Sequence, residues 1–144
     1  MCIERRMLME KFYTLHTYLL KNKNITYNME VYIEMLYRRR KDKNTITLLS
    51  KILNIKKPSC SKMINKLEKL DLVYHNDNDI ILTNKGEELG SYLLYRHETI
   101  ETFLRLLNKE EFKFETVELI EHFIDSTTLK NLEKLISKLK KLNI

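Results

Sequence analysis

Hydrophobic residues recur at helical spacing over most of the chain, and this spacing predicts a mainly helical protein. Residues 4–20 form an amphipathic pattern with apolar residues three or four positions apart. Polar residues then interrupt it, and a second helix is expected to run from Asn28, as its N-cap, to Arg40. These two segments predict helices that each bury one face.

Two short helical segments follow a polar loop. Thr47 can cap a helix over residues 48–53, and Pro58 stands where proline is favoured in the first turn of the next helix, 59–70. A short helix, a tight turn and a helix with small polar residues in its first turn are typical of a helix-turn-helix. The order of these segments therefore favours a DNA-reading unit.

The pattern changes after residue 70. Two β-prone runs, 72–74 and 79–83, flank the turn-forming cluster His75-Asn-Asp-Asn78. A hairpin directly after a recognition helix is a wing, so the sequence predicts a winged helix-turn-helix. Helical spacing then returns in three segments, at residues 84–107, 114–124 and 128–142.

The composition is consistent with one helical globular protein. Hydrophobic residues make up 43% of the 144 residues, and only two glycines and one proline are present. No apolar run is long enough to span a membrane, and Cys2 and Cys60 are far apart, so we expect a soluble cytoplasmic protein. So few glycines exclude a Gly-rich phosphate loop, and no nucleophile arrangement stands out. We therefore predict neither an enzyme nor a small organic substrate.

The net charge of +6 is unevenly distributed. Residues 36–70 carry eleven lysines and arginines against two acids, a net charge of +9. Residues 98–125 carry eight acids against three basic residues, a net charge of −5. This asymmetry favours a polyanion as partner of the basic half and cations as partners of the acidic half. Ordinary solvated helix faces remain an alternative on charge alone.

The basic half predicts binding to double-stranded DNA. The first turn of a recognition helix enters the major groove, where short polar side chains and lysines reach base edges and phosphates. The wing tip carries two carboxylates, Asp77 and Asp79, and is expected to add little affinity. A positive face that is only solvated is the alternative. The predicted DNA-binding residues are Lys56, Lys57, Ser59, Cys60, Ser61, Lys62, Asn65 and Lys66.

The acidic half contains a candidate metal motif, Glu118-Leu-Ile-Glu121-His122. Its two carboxylates and imidazole share one helix face at positions i, i+3 and i+4. His97 and Glu101 are similarly spaced on the preceding helix. Mixed imidazole and carboxylate ligands suit Mn(II), Fe(II), Co(II) or Zn(II). Taken alone, the motif also fits an ordinary charged helix surface.

Five separated segments, in order, resemble the manganese- and iron-dependent repressor family, which includes the manganese transport regulator and diphtheria toxin repressor branches. The match is closest to the manganese branch. The segments are Met29-Glu-Val-Tyr-Ile-Glu-Met-Leu-Tyr37, Pro58-Ser-Cys-Ser-Lys-Met-Ile-Asn-Lys-Leu67, Leu82-Thr-Asn-Lys-Gly86, Leu94-Tyr-Arg-His-Glu98 with Phe103-Leu104, and Val117-Glu-Leu-Ile-Glu-His122.

The resemblance implies a particular organisation. It implies a mainly α fold, in which an N-terminal winged helix-turn-helix with a short β-hairpin wing is joined by a long helix to a helical dimerisation domain. We accordingly expect an extension helix over 1–27, a DNA-binding domain over 28–84 and a metal-binding and dimerisation domain over 85–144. The implied protein is a homodimeric, metal-dependent repressor of operator DNA that controls metal-ion homeostasis.

The resemblance also implies a ligand set. The positions that match the manganese branch are Glu34, His97, Glu118, Glu121 and His122. Mn(II) is then the expected metal, Fe(II) the next, with Co(II) or Zn(II) as further candidates. Val31 stands where the manganese branch has an aspartate, and valine cannot coordinate a metal. A winged-helix regulator that has lost metal sensing is therefore the alternative. A helical di-metal enzyme fits less well, because such enzymes need paired Glu-x-x-His motifs.

Overall fold

The computed structural model describes residues 25–142, so the extension helix predicted over 1–27 lies almost wholly outside the described residues. The chain divides into two compact units between Tyr92 and Leu93. Each unit has buried apolar residues of its own.

From residue 25 to the wing, the described part of the first unit contains three helices, in the order that the sequence predicts. Helix α1 spans Tyr27–Arg38, α2 spans Ile46–Ile52, and α3 spans Lys57–Lys69. Pro58 lies in the first turn of α3, where the missing N–H of proline costs no helical hydrogen bond. Helices α2 and α3 form the predicted helix-turn-helix.

The predicted caps of α1 and α2 are wrong by two residues. Helix α1 is capped by Thr26, whose side chain accepts a hydrogen bond from the backbone N–H of Met29 at 3.3 Å, and not by Asn28. Helix α2 is capped by Thr45, which accepts from the N–H of Leu48 at 3.1 Å, and not by Thr47. In both segments the earlier threonine has the extended backbone that an N-cap needs.

The wing is a two-stranded antiparallel hairpin, as predicted. Strands β1 (Val73–Asn76) and β2 (Asp79–Leu82) pair from Val73 opposite Leu82 to Asn76 opposite Asp79. The turn between them begins at Asp77, whose φ of 54° lies in the left-handed region that aspartate tolerates better than most residues.

The core of the first unit draws on every element described there. Each helix contributes the apolar stripe that its sequence predicts, and the wing contributes the inward-facing residues of both strands. The buried residues include Ile33, Leu36, Leu49, Ile64, Leu67, Leu72, Val73, Ile80, Leu82 and Leu89.

A 25-residue helix, α4 (Asn84–Asn108), begins in the first unit and continues into the second. A 3₁₀ turn over Lys109–Glu111 leads to α5 (Phe114–Glu121) and α6 (Ser126–Lys141). The buried apolar residues of this second unit are Leu93, Ile100, Leu104, Val117, Leu129 and Ile136. The mainly helical fold class with its hairpin wing is thus confirmed. Within residues 25–142, no helix combines the length and apolar character needed to cross a membrane.

The start of α6 has a clear local cause. The side chain of Asp125 accepts a hydrogen bond from the backbone N–H of Thr128 at 2.9 Å. Hydrogen bonds from Thr128 lower the pKa of the Asp125 carboxyl, so its charged, capping form persists into mildly acidic solution.

Candidate DNA-binding surface and metal centre

Helix α3 presents a polar, basic outer face. Ile64 and Leu67 form the buried stripe of this helix. The exposed residues lie in the first turn and, further along, at helical spacing on the opposite face. Ser61 is half-buried at the edge of this face. Six of the eight residues predicted to bind DNA are exposed: Lys56, Lys57, Ser59, Lys62, Asn65 and Lys66.

Cys60 is a correction to the predicted DNA-binding set. Its side chain is completely buried, so it cannot reach a base edge. It lies four residues before Ile64 and seven before Leu67, on the inward face of α3. That spacing was visible in the sequence and could have identified Cys60 as a core residue.

The Cys60 thiol forms a hydrogen bond with the Tyr32 side chain of α1. Burial raises the pKa of the Cys60 thiol above its ordinary value, and the hydrogen bond from Tyr32 offsets this only in part. Burial and the neighbouring Cys60 raise the pKa of Tyr32 to about 12. This pair ties the recognition helix to α1 through a neutral contact.

We expect Cys60 to be chemically inert in the native protein. In a Cys2→Ser variant, Cys60 should react with a colorimetric disulfide reagent at least about tenfold more slowly in buffer than in urea, because burial and a raised pKa both reduce accessible thiolate. The same variant in urea provides the control for reagent activity, because unfolding exposes Cys60. Equal rates in buffer and urea would show that Cys60 is exposed.

One of the two wing carboxylates has a structural role. Asp79 accepts a hydrogen bond from the backbone N–H of Asn44 at 2.8 Å, and the N–H of Ile80 donates to the Asn44 carbonyl at 2.8 Å. The Asn44 side chain accepts in turn from the guanidinium of Arg39 at 3.0 Å. The first residue of β2 is therefore fastened to the loop before α2, a contact between residues 35 positions apart that no local pattern indicates.

The centre of the candidate metal site is a buried pair, His97 on α4 and Glu121 at the end of α5. The residues are 3% and 2% exposed, and His97 Nδ1 lies 2.7 Å from Glu121 Oε2. His97 also contacts the Phe114 ring, with centroids 5.3 Å apart. An imidazole and a carboxylate taken out of water together must satisfy each other, because an uncompensated buried charge is costly.

Three further predicted groups surround this pair. Glu118 Oε1 lies 3.8 Å from His97 Nδ1, and Glu101 Oε2 lies 3.8 Å from His97 Nε2. His122, which caps the C-terminus of α5, places Nε2 3.4 Å from Glu121 Oε1. Within the second unit, the structure therefore brings together the four predicted ligands that belong to it: His97, Glu118, Glu121 and His122.

Glu34, the fifth predicted ligand, belongs to the first unit. It lies on α1 with its side chain 18% exposed, and its Oε1 is 3.8 Å from Nη2 of Arg38. Val31, one turn earlier on the same helix, is half-buried and offers no donor atom.

Sequence reasoning missed Arg96. This residue is only 2% exposed, and its Nη2 lies 3.3 Å from Nδ1 of His122. The signal was present in the sequence, because Arg96 falls four residues after Tyr92 and four before Ile100 on the buried stripe of α4. A charge on an apolar stripe marks a polar contact inside the protein.

The donor chemistry of this cluster fits a divalent metal. Carboxylate oxygens and imidazole nitrogens converge from α4 and α5, and no thiolate takes part among the residues described. Such a set suits Mn(II), Fe(II), Co(II) or Zn(II) rather than a structural zinc held by cysteines. A bound cation would neutralise carboxylates that the fold already holds close together.

The two halves of the chain match two linked sequence families. Residues 24–79 match the iron dependent repressor N-terminal DNA binding domain, and residues 83–142 match the iron dependent repressor metal binding and dimerisation domain. A winged helix-turn-helix followed by such a domain defines a DNA-binding transcriptional repressor, and not an enzyme.

Individual relatives agree with this class. The HTH-type transcriptional regulator MntR of Bacillus subtilis is 34% identical over 115 residues, which cover 77% of this chain and 81% of the relative. The MntR of Geobacillus thermodenitrificans is 36% identical over 115 residues, covering 77% of this chain and 82% of the relative. The chain therefore belongs to the iron-dependent repressor family.

Solved structures also share the fold. The manganese regulator SloR aligns with a TM-score of 0.65 at 28% identity, over 78% of this chain and 55% of SloR. ScaR with bound Zn²⁺ aligns with a TM-score of 0.68 at 26% identity, over 76% of this chain and 53% of ScaR. The chain thus spans about half the length of these two structural relatives.

Proposed function

We propose that this protein represses genes of metal-ion homeostasis and that Mn(II), with Fe(II) as the next candidate, raises its affinity for operator DNA. The observation that carries the proposal is the buried His97–Glu121 contact of 2.7 Å, flanked by Glu118 and His122. The MntR relatives and the manganese regulator SloR support manganese as the metal. We assign Glu34 to the same ligand set by its match to the family pattern.

The proposed mechanism is linkage between metal and DNA. Glu34 belongs to the DNA-binding half, whereas His97, Glu118, Glu121 and His122 belong to the second half. A metal bound by ligands from both halves would restrict the orientations in which the recognition helices can meet DNA. Coupling of this kind is worth about 1–3 kcal/mol, or roughly 5–150-fold in affinity, and it is reciprocal, so operator DNA should also tighten metal binding.

The DNA-binding form is proposed to be a homodimer. The second unit leaves large apolar side chains exposed, among them Leu119 at 67%, Phe123 at 83% and Leu142 at 68%. Apolar side chains exposed on the unit that matches a dimerisation domain support a contact between two copies of this unit. Two copies would place two α3 helices in the major groove at half-sites about one DNA turn apart.

Calorimetry and DNA binding test the proposal together. Mn(II), Fe(II), Co(II) and Zn(II) are titrated into the full chain, and a duplex selected from a random library in the presence of Mn(II) is then titrated with and without metal. We expect binding of Mn(II) in the micromolar range and tighter DNA binding when Mn(II) is present. Absence of metal binding would favour the alternative, a winged-helix regulator that has lost metal sensing, with Val31 as the cause.

Lys62 should contribute through the phosphate backbone. It is exposed one turn into α3, so Lys62→Ala should weaken binding to all duplexes alike and lower the slope of log affinity against log salt by about 0.9 for each phosphate that Lys62 neutralises. Lys138→Ala, an exposed lysine on α6, is the matched control. An unchanged salt slope, measured by fluorescence anisotropy, would remove Lys62 from the DNA-contacting surface.

A further inference from the structure

Arg96 places a permanent cation beside a metal ligand. Its side chain is among the largest that are fully buried, and Nη2 approaches Nδ1 of His122 to 3.3 Å. His122 is itself only 5% exposed. A buried guanidinium is costly unless it is paired and hydrogen-bonded, and here it approaches the imidazole that also contacts Glu121.

The contact determines which nitrogen of the neutral His122 ring carries the hydrogen. A guanidinium can only donate hydrogen bonds, so Nδ1 of His122 must accept and carries no hydrogen. In the neutral imidazole the hydrogen is then on Nε2, which faces Glu121 Oε1 at 3.4 Å. Nε2 thus faces a carboxylate and Nδ1 faces a guanidinium, so both nitrogens of His122 have polar neighbours within the protein.

This arrangement conflicts with metal coordination by His122. A histidine ligand binds through the nitrogen that has no hydrogen, while its other ring N–H donates to a neighbouring acceptor. With Arg96 in place, the single available lone pair, on Nδ1, points at a cationic donor. Coordination through Nε2 would require the hydrogen on Nδ1, where it would face the guanidinium N–H group.

We propose that Arg96 is a positioning residue that competes with the divalent metal for His122 and keeps this ligand in a non-coordinating form until metal binds. The proposal rests on the proposed metal-binding function of this cluster. Arg96 supplies a positive charge and a hydrogen bond next to the His122–Glu121 contact, so it stabilises the metal-free protein. It opposes a second cation by charge repulsion and by occupying Nδ1. Arg96 thereby sets the metal concentration to which the repressor responds.

Two variants test the cation at position 96. Arg96→Met keeps a long side chain but removes both the charge and the donor, whereas Arg96→Lys keeps the charge. The control is Lys134→Met, an exposed lysine on α6. We expect Arg96→Met to bind Mn(II) about tenfold more tightly than wild type, because that is the effect of losing one hydrogen bond that involves a charged group. The affinity of Arg96→Lys should lie between those of Arg96→Met and wild type.

Thermal unfolding gives a second measurement. Without metal, Arg96→Met should have a lower Tm than wild type, because the buried His122 ring loses the hydrogen bond from Arg96. With Mn(II) added, its Tm should rise by more than that of wild type, since tighter binding stabilises the folded state further. The Lys134→Met control should match wild type in both conditions.

The ring state of His122 is measured on the metal-free wild-type protein by ¹⁵N NMR of labelled histidine. A pyridine-like shift for Nδ1 and a pyrrole-like shift for Nε2 support the proposal, and the reverse overturns it even if Arg96→Met fails to fold. If the tautomer is as expected but Arg96→Met binds Mn(II) no more tightly, competition is overturned while the proposed function stands. If wild type and both variants bind no metal, the proposed function itself fails and the competition fails with it.

Discussion

Glu121→Ala combined with His122→Ala should abolish the increase in operator affinity that Mn(II) produces, while DNA binding without metal persists. Glu121 contacts both imidazoles of the cluster, at 2.7 Å from His97 and 3.4 Å from His122, so the double change removes the connecting carboxylate and one of the two rings. The expected metal stimulation, roughly 5–150-fold in wild type, should fall to about onefold. Fluorescence anisotropy with the selected duplex, with and without Mn(II), measures the effect.

The double variant should still fold. It takes a polar contact away from two buried groups, that of His97 with Glu121 and that of Arg96 with His122, at a cost of about 1–3 kcal/mol or more for each. Circular dichroism and urea unfolding check that the helices remain. The matched control is Glu110→Ala with Glu111→Ala, two exposed acids of the 3₁₀ turn in the same unit. If Mn(II) stimulates the double variant and this control equally, the cluster is not the sensing site.

The order of elements was predictable because each one carries its own local signal. Pro58 indicated the start of α3, and the apolar stripe of Leu129 and Ile136 indicated α6. The helix boundaries were less accurate. Thr26 and Asn28 are both good capping residues two positions apart, as are Thr45 and Thr47, and tertiary packing decides which adopts the extended backbone.

Only the metal ligands of the candidate site could be predicted from the sequence. Glu118, Glu121 and His122 fall on one helix face, and His97 followed from the resemblance, so their proximity was expected. The contact between Asn44 and Asp79 could not be read from local patterns, because it joins a loop and a strand 35 residues apart. Cys60 was misjudged because it lies in the first turn of the recognition helix, and Arg96 was missed because arginine is usually exposed, although both residues lie on buried stripes.

The first turn of α4 requires a glycine at position 86, because the backbone there lies against the backbone of Leu72 and leaves no room for a Cβ atom. A Cβ added at Gly86 would lie 2.0 Å from the Leu72 carbonyl oxygen and 3.0 Å from its carbonyl carbon. That oxygen already accepts a hydrogen bond from the N–H of Thr83 at 3.0 Å, so neither partner can move independently. The close approach joins the residue that precedes β1 to the helix that follows β2, and thereby holds the base of the wing.

Gly86→Ala should therefore lower the free energy of unfolding by about 3 kcal/mol, since overpacking against rigid backbone costs at least as much as inserting atoms into a filled core. In an unobstructed helix the same change stabilises by about 1 kcal/mol, so the sign itself is diagnostic. Urea unfolding measures it, with Glu87→Ala, the next and exposed residue of α4, as the control. A variant as stable as wild type would mean that α4 and Leu72 are not held together, and the wing would then lack its anchor. Because the wing and α3 share one core through Leu67 and Val73, displacement of that anchor should also weaken DNA binding.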